Sequence, residues 1–190
     1  MLQPILFVTS NGAGLGHLTR SMAIARRLPA GLQPLFLTLS QALPVVRGQG
    51  FLAEYLFSAG YAGTDRRRWN PLFEQRLCDV IDQYHPAAVI FDGTYPYLGL
   101  ISVLRARPDL PFVWCRRAMW RPNTGGDNLR YSSLFELILE PGEFAAEMDR
   151  GLTTSHRYQA VSVPPILYCD ESELLPRPVA EQELGLKPDR

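Results

Sequence analysis

Ile5-Leu6-Phe7-Val8-Thr9-Ser10-Asn11-Gly12-Ala13-Gly14-Leu15-Gly16-His17-Leu18-Thr19-Arg20 is the stretch on which the fold reading turns. Residues 5–9 form a short apolar run ending in a glycine-rich segment, as expected of a strand buried on both faces. Residues 18–28 then place Leu18, Met22, Ala25 and Leu28 on one face, with Arg20, Arg26 and Arg27 elsewhere, which is the pattern of an amphipathic helix. Strand, glycine loop and helix follow one another directly.

The same alternation runs outward along the chain. Strands are expected at residues 35–39, 51–57, 87–91, 111–115, 135–139 and 160–163, and helices at 43–48, 69–84, 98–105 and 179–186. Strands separated by helices of this size imply a parallel sheet, so the fold class is α/β: a Rossmann-like, doubly wound domain. No internal repeat or low-complexity tract interrupts it. Pro164-Pro165 closes the last strand, and Pro176 and Pro178 punctuate the stretch before the final helix. The organisation expected is one domain over residues 1–165, followed at 166–190 by a linker and the start of another domain; a tail that packs back on the sheet is the alternative.

A chain of 190 residues with a hydrophobic fraction of 46% can bury a sizeable core. Its formal net charge of zero provides no global field for nucleic acid or acidic membranes. Of the 19 basic residues all but Lys187 are arginine, a bias that suits oxyanion recognition and that genomic base composition also produces. Cys78, Cys115 and Cys169 are scattered and odd in number, so neither a zinc cluster nor a disulfide framework is expected, and the reading is of buried thiols in a reducing cytoplasm. No apolar stretch approaches the length of a membrane span.

In an open α/β sheet, ligands bind outside the carboxyl ends of the strands, and glycines there let backbone N–H groups approach phosphate oxygens. The spacing excludes two common uses. A dinucleotide fingerprint needs a third glycine where His17 stands, and residues 37–40 supply no acid for a ribose. A P-loop needs a lysine that this region lacks. Glycines serving only a tight turn remain the structural alternative.

The run Gly12-x-Gly14-x-Gly16-His17, then Arg20 and the helix through Leu28, resembles the opening of GT-B glycosyltransferases of the MurG-like kind. Val89-Ile90-Phe91-Asp92-Gly93 and Leu139-Glu140-Pro141-Gly142-Glu143-Phe144 fit such proteins less specifically, and residues 181–186 resemble the start of that family's donor-binding domain. The resemblance implies two Rossmann-like domains facing across a cleft. The N-terminal one would hold an acceptor, and the C-terminal one, not contained in this chain, would hold a nucleotide-sugar. It implies transfer of a hexose to an acceptor hydroxyl without a tightly held metal or other cofactor, and a fragment inactive alone. A non-catalytic acceptor-binding subunit and a nucleotide-sugar epimerase of the same fold are the rival readings.

Within that frame His17 is the candidate base. It matches the histidine of the family's glycine loop, and the positive end of a helix dipole disfavours a cationic ring there. Packing of the loop is its structural alternative. Asp92, ending a strand at the same sheet edge, could orient His17, bind an acceptor hydroxyl, or cap the helix near Tyr97. Asn11, Gly12, Gly14, Gly16 and Arg20 are candidate substrate contacts, and Glu140, at another strand end, is a further one. Two arginine clusters, residues 66–68 with Trp69 and Arg116-Arg117 with Trp120 and Arg121, are expected in loops. There Arg116 and Trp120 would suit a phosphate-bearing, sugar, lipid or small-molecule acceptor, or a peripheral membrane contact. A solvated loop explains the same residues. No nucleic-acid partner is expected.

Overall fold

The computed structural model describes residues 2–10 and 14–186. Among these, seven strands form one sheet in which every neighbouring pair is parallel: β1 (Gln3–Thr9), β2 (Leu32–Thr38), β3 (Leu52–Tyr55), β4 (Ala88–Asp92), β5 (Phe112–Cys115), β6 (Leu137–Pro141) and β7 (Val161–Val163). Their order is β3-β2-β1-β4-β5-β6-β7. The expected Rossmann-like parallel sheet is therefore present. The helices are α1 (Gly16–Ala25), α2 (Leu43–Gly48), α3 (Arg66–Tyr84), α4 (Leu98–Ala106), α5 (Gly126–Leu129) and α6 (Arg177–Glu183).

Alternation along β1 divides the core into two layers. Ile5 and Phe7 pack with Leu18, Met22 and Ala25 of α1 and with Phe36 and Val46. Leu6 and Val8 face the opposite way, into a larger layer with Trp69, Phe73 and Leu77 of α3 and Leu100 and Ile101 of α4. A strand with both faces covered must be apolar at every position, which is why β1 reads as a continuous run. Phe7 and Phe36 stack at 5.0 Å across the β1–β2 pair.

One difference from the sequence reading bears on function. The arginines at 66–68 do not lie in a loop. They form the first turn of α3, because the Asp65 carboxylate accepts a hydrogen bond from the Arg67 amide at 2.7 Å and caps the helix there. The β6–β7 connection holds only 3-10 turns, at Ala146–Met148 and Leu152–Gln159. It is secured by a buried ionic network described below.

Close approaches set the walls of the later site. Gly99 lies where a Cβ would come within 2.6 Å of the Asn70 carbonyl, so α3 and α4 touch backbone to backbone. The Asn70 side chain accepts from the Gly99 amide at 2.9 Å and caps α4. After β7, the segment through Glu173 is strapped to the end of α1. Arg26 donates to the Tyr168 carbonyl at 2.8 Å and pairs with Glu173, while Arg27 pairs with Asp170. The Tyr168 hydroxyl donates to Gln49 at 2.6 Å. Among the described residues no helix is long and apolar enough to cross a membrane.

Candidate functional site

The strand order reverses direction between β1 and β4, and a crevice opens there at the carboxyl edge of the sheet. His17, in the first turn of α1, and Asp92, the last residue of β4, meet across that point: His17 Nδ1 lies 2.7 Å from Asp92 Oδ1. Arg20, one turn further along α1, grips the same carboxylate twice, from Nε to Oδ2 at 2.8 Å and from Nη2 to Oδ1 at 2.6 Å. The Ser21 hydroxyl is 3.5 Å from Oδ2. Asp92 is fully buried, and His17 and Arg20 are only slightly exposed.

This arrangement fixes the histidine's tautomer. An ionised carboxylate only accepts hydrogen bonds, so at 2.7 Å the Nδ1 carries a proton, and in the neutral ring Nε2 is then the nitrogen with the lone pair. Among the described residues Nε2 has no hydrogen-bond partner, and His17 lines the crevice. Burial opposes the Arg20 charge, but the hydrogen bond and attraction of Asp92 outweigh it and hold the guanidinium above its ordinary range. Arg20 is thus a permanent cation that neutralises Asp92, which is left to aim the ring. Cys115, paired with Asp92 in the β4–β5 register, has its thiol pushed up by burial and then by the Asp92 charge.

The crevice holds about 420 Å³. Besides His17, its walls include Ser10 directly after β1, Tyr95 and Tyr97 after β4, Arg66 and Arg67 of α3, and Arg130. Burial pushes the Tyr97 hydroxyl up to about 12, against the lowering influence of its Ser10 hydrogen bond and of nearby Arg66. Gly125, at φ +78°, starts the turn that carries Arg130, and a Cβ there would fall 2.4 Å from the Tyr95 ring. That contact seats the 125–131 segment against the crevice wall.

Of the residues singled out in the sequence, His17, Arg20 and Asp92 come together; of the roles open to Asp92, the contact with His17 is made, whereas α4 has no side-chain cap at Tyr97. Arg20, expected at a substrate, spends its fork on Asp92. Gly14 and Gly16 stand at the same edge, and neither needs a left-handed backbone. Among the described residues a Cβ at either would meet nothing within 4 Å, so none of these closes the space above them. Asn11 and Gly12 lie outside the described residues.

Arg116, Trp120 and Glu140 are elsewhere and buried. The Arg116 guanidinium has no exposure and donates to Glu140 Oε2 at 3.0 Å and to the His156 carbonyl at 3.2 Å. Arg157 bridges Glu140 at 2.9 Å and Asp149 at 3.0 Å. Two arginines and two acids thus close the β6–β7 connection. Trp120 sits edge-on behind Tyr95 at 4.8 Å, one ring back from the crevice. Trp69 is buried too, donating to the Phe57 carbonyl at 2.7 Å. The expected surface pairing of arginine with tryptophan, for a sugar or a lipid headgroup, is corrected accordingly, since both indoles belong to the core.

Ser10, Tyr97 and Arg130 were not singled out in advance. Ser10 and Tyr97 follow the two strands at the switch point, which was the available signal; nothing local marks Arg130. Among the described residues no group of three acids, histidines or cysteines could hold a metal.

No protein-family model matches the sequence, and no curated protein matches it either. Solved structures do share its architecture. MurG of Acinetobacter baumannii aligns at 15% identity and a TM-score of 0.56, over 74% of this chain and 42% of that one. S. aureus MnaA, solved with UDP, aligns at 12% identity and 0.57, over 86% and 43%. Phytolacca americana UGT2, complexed with UDP-2fluoro-glucose and pterostilbene, aligns at 12% and 0.57, over 90% and 56%. The chain therefore spans between 42% and 56% of the length of these three structures. What the likeness shows is the fold, a Rossmann-like α/β domain of the kind found in MurG-like GT-B proteins.

Proposed function

We propose that this chain is the acceptor-side domain of a nucleotide-sugar-dependent glycosyltransferase, with His17 as the general base. The observation that carries the reading is the His17–Asp92 contact at the switch point, which occupies Nδ1 and, in the neutral ring, leaves Nε2 free to accept a proton at the wall of an open crevice. In the reaction, the acceptor hydroxyl gives its proton to Nε2 as its oxygen attacks the anomeric carbon. The bond from that carbon to the nucleoside diphosphate breaks, and the diphosphate leaves with the electron pair. Asp92 and Arg20 position the ring. Gly14 and Gly16 leave room for a ligand to approach the start of α1, which has neither a side-chain cap nor an acid in its first turn.

The main nucleotide contacts are assigned to a second, donor-binding domain, to which residues 166–190 lead. The fold neighbours solved with UDP and with a UDP-sugar support a nucleotide-sugar as donor. On its own the chain is expected to bind UDP weakly and to turn over little. The test is release of nucleoside diphosphate by the protein joined to its donor-binding half, with UDP- and TDP-sugars and a panel of hydroxyl acceptors. His17→Ala should lower turnover by about 10²–10⁴-fold, with much less effect on acceptor KM. Near-normal turnover in that variant would make His17 a structural member of the loop. Isomerisation of the nucleotide-sugar without acceptor would replace transfer by epimerisation.

A further inference from the structure

Arg66, Arg67 and Arg130 share the walls of the His17 crevice. Elsewhere in the chain many arginines are matched to acids: Arg20 to Asp92, Arg26 to Glu173, Arg27 to Asp170, Arg76 to Glu54, Arg107 to Asp82 and Arg116 to Glu140. The crevice arginines are not. Neither Arg66 nor Arg67 has a side-chain hydrogen bond or ion pair among the described residues. Arg130 donates only to the neutral Tyr131 hydroxyl, at 2.9 Å, and lies over that ring at 4.9 Å.

The acids at hand do not cancel this charge. Asp92 is buried and already neutralised by Arg20. Asp127 lines the crevice and offsets one of the three cations. An excess of positive charge is therefore concentrated where a substrate would enter. Arg66 and Arg67 stand in the first turn of α3, where the Asp65 cap offsets a second cation, so Asp65 and Asp127 together still leave the three arginines in excess.

We infer that the acceptor carries an anionic group, a phosphate or a carboxylate, which Arg66, Arg67 and Arg130 grip while the hydroxyl to be glycosylated lies at His17. Planar guanidinium forks match both oxyanions, and a crevice of about 420 Å³ has room for a sugar-sized body between the anion and the histidine. Tyr95 and Tyr131 supply ring surface along the same walls. This rests on the acceptor-side reading above but concerns binding alone.

The experiment is calorimetric titration of the chain with glucose 6-phosphate, glucuronate, inorganic phosphate and glucose, repeated with R66Q/R67Q/R130Q. All three arginines are exposed, so the variant should keep the wild-type circular dichroism and melting curve. At least one of the two anionic sugars should bind about tenfold or more tightly than glucose. That advantage should vanish in the triple variant and shrink as salt rises. Preference for glucose 6-phosphate assigns the anion as phosphate, preference for glucuronate as carboxylate, and both support the inference. Equal binding of glucose and the anionic sugars overturns it, as does an unchanged triple variant. So does displacement of the sugar phosphate by UDP at the same arginines, which would make them the donor's. The inference is read from binding to the three arginines alone and the catalytic reading from turnover of His17→Ala, so failure of one is told apart from failure of the other.

Discussion

Arg20 holds Asp92 by two parallel hydrogen bonds, 2.8 Å and 2.6 Å long, from one turn beyond the histidine that the same carboxylate orients. One helix therefore delivers both the ring and the cation that share this carboxylate. Asp92→Asn should cost about 3–5 kcal/mol of stability, because it strands a nearly buried guanidinium. It should also lower turnover, by less than His17→Ala does. Urea unfolding and steady-state kinetics on the same preparations check both parts. A variant as stable as wild type would show that the pair is not buried in solution.

The open space above Gly16 separates a binding role from a folding one. A methyl there meets none of the described residues and the backbone is compatible with alanine, so Gly16→Ala should leave stability unchanged or raise it by about 0.4–1 kcal/mol. If the space admits a ligand, the same variant should lose turnover. Full activity in a stable Gly16→Ala protein would remove the loop glycines from the site.

Glu140 was a candidate substrate contact in the sequence and is a counter-ion in the structure. Glu140→Gln should lower stability by about 3 kcal/mol, since it leaves Arg116 buried without a full partner, while acceptor KM of the folded protein stays put. A raised KM with no loss of stability would return Glu140 to the binding surface.

The thiols should differ sharply in reactivity. In a Cys78→Ser background, exposed Cys169 should react with a disulfide reagent at pH 8, and faster as pH rises, because the thiolate is the reacting form. Cys115, buried and held as the thiol, should stay silent until the protein is unfolded. Prompt labelling of two thiols in the native state would show that the end of β5 beside Asp92 is open.

Strand positions were legible because a two-sided parallel sheet demands unbroken apolar runs: the strand expected at 87–91 is β4 at Ala88–Asp92, and the helix expected at 43–48 is α2 at Leu43–Gly48. That Asp92 stands at the same edge as His17 followed from one rule, that strand ends share an edge, and their contact was one of three roles the sequence left open. What failed depended on pairings distant in sequence. Nothing local to Arg116 announces that Glu140, 24 positions away, will bury it. The first turn of α3 was missed for a nearer reason: three arginines read as a solvated loop, while the signal that starts the helix is the single acid before them, Asp65.

Helix α1 bears His17 and Arg20 at one end, and at the other it abuts Arg26 and Arg27, which clamp residues 168–173. The distance from His17 to Arg26 is nine residues, about 14 Å of helix rise. A rod of that length is stiff along its axis, and its flank is locked into the core by Leu18, Met22 and Ala25. The anchoring of residues 168–173 and the placement of the imidazole thus depend on the seating of one and the same helix. Imidazole and clamp stand at opposite ends of one rod.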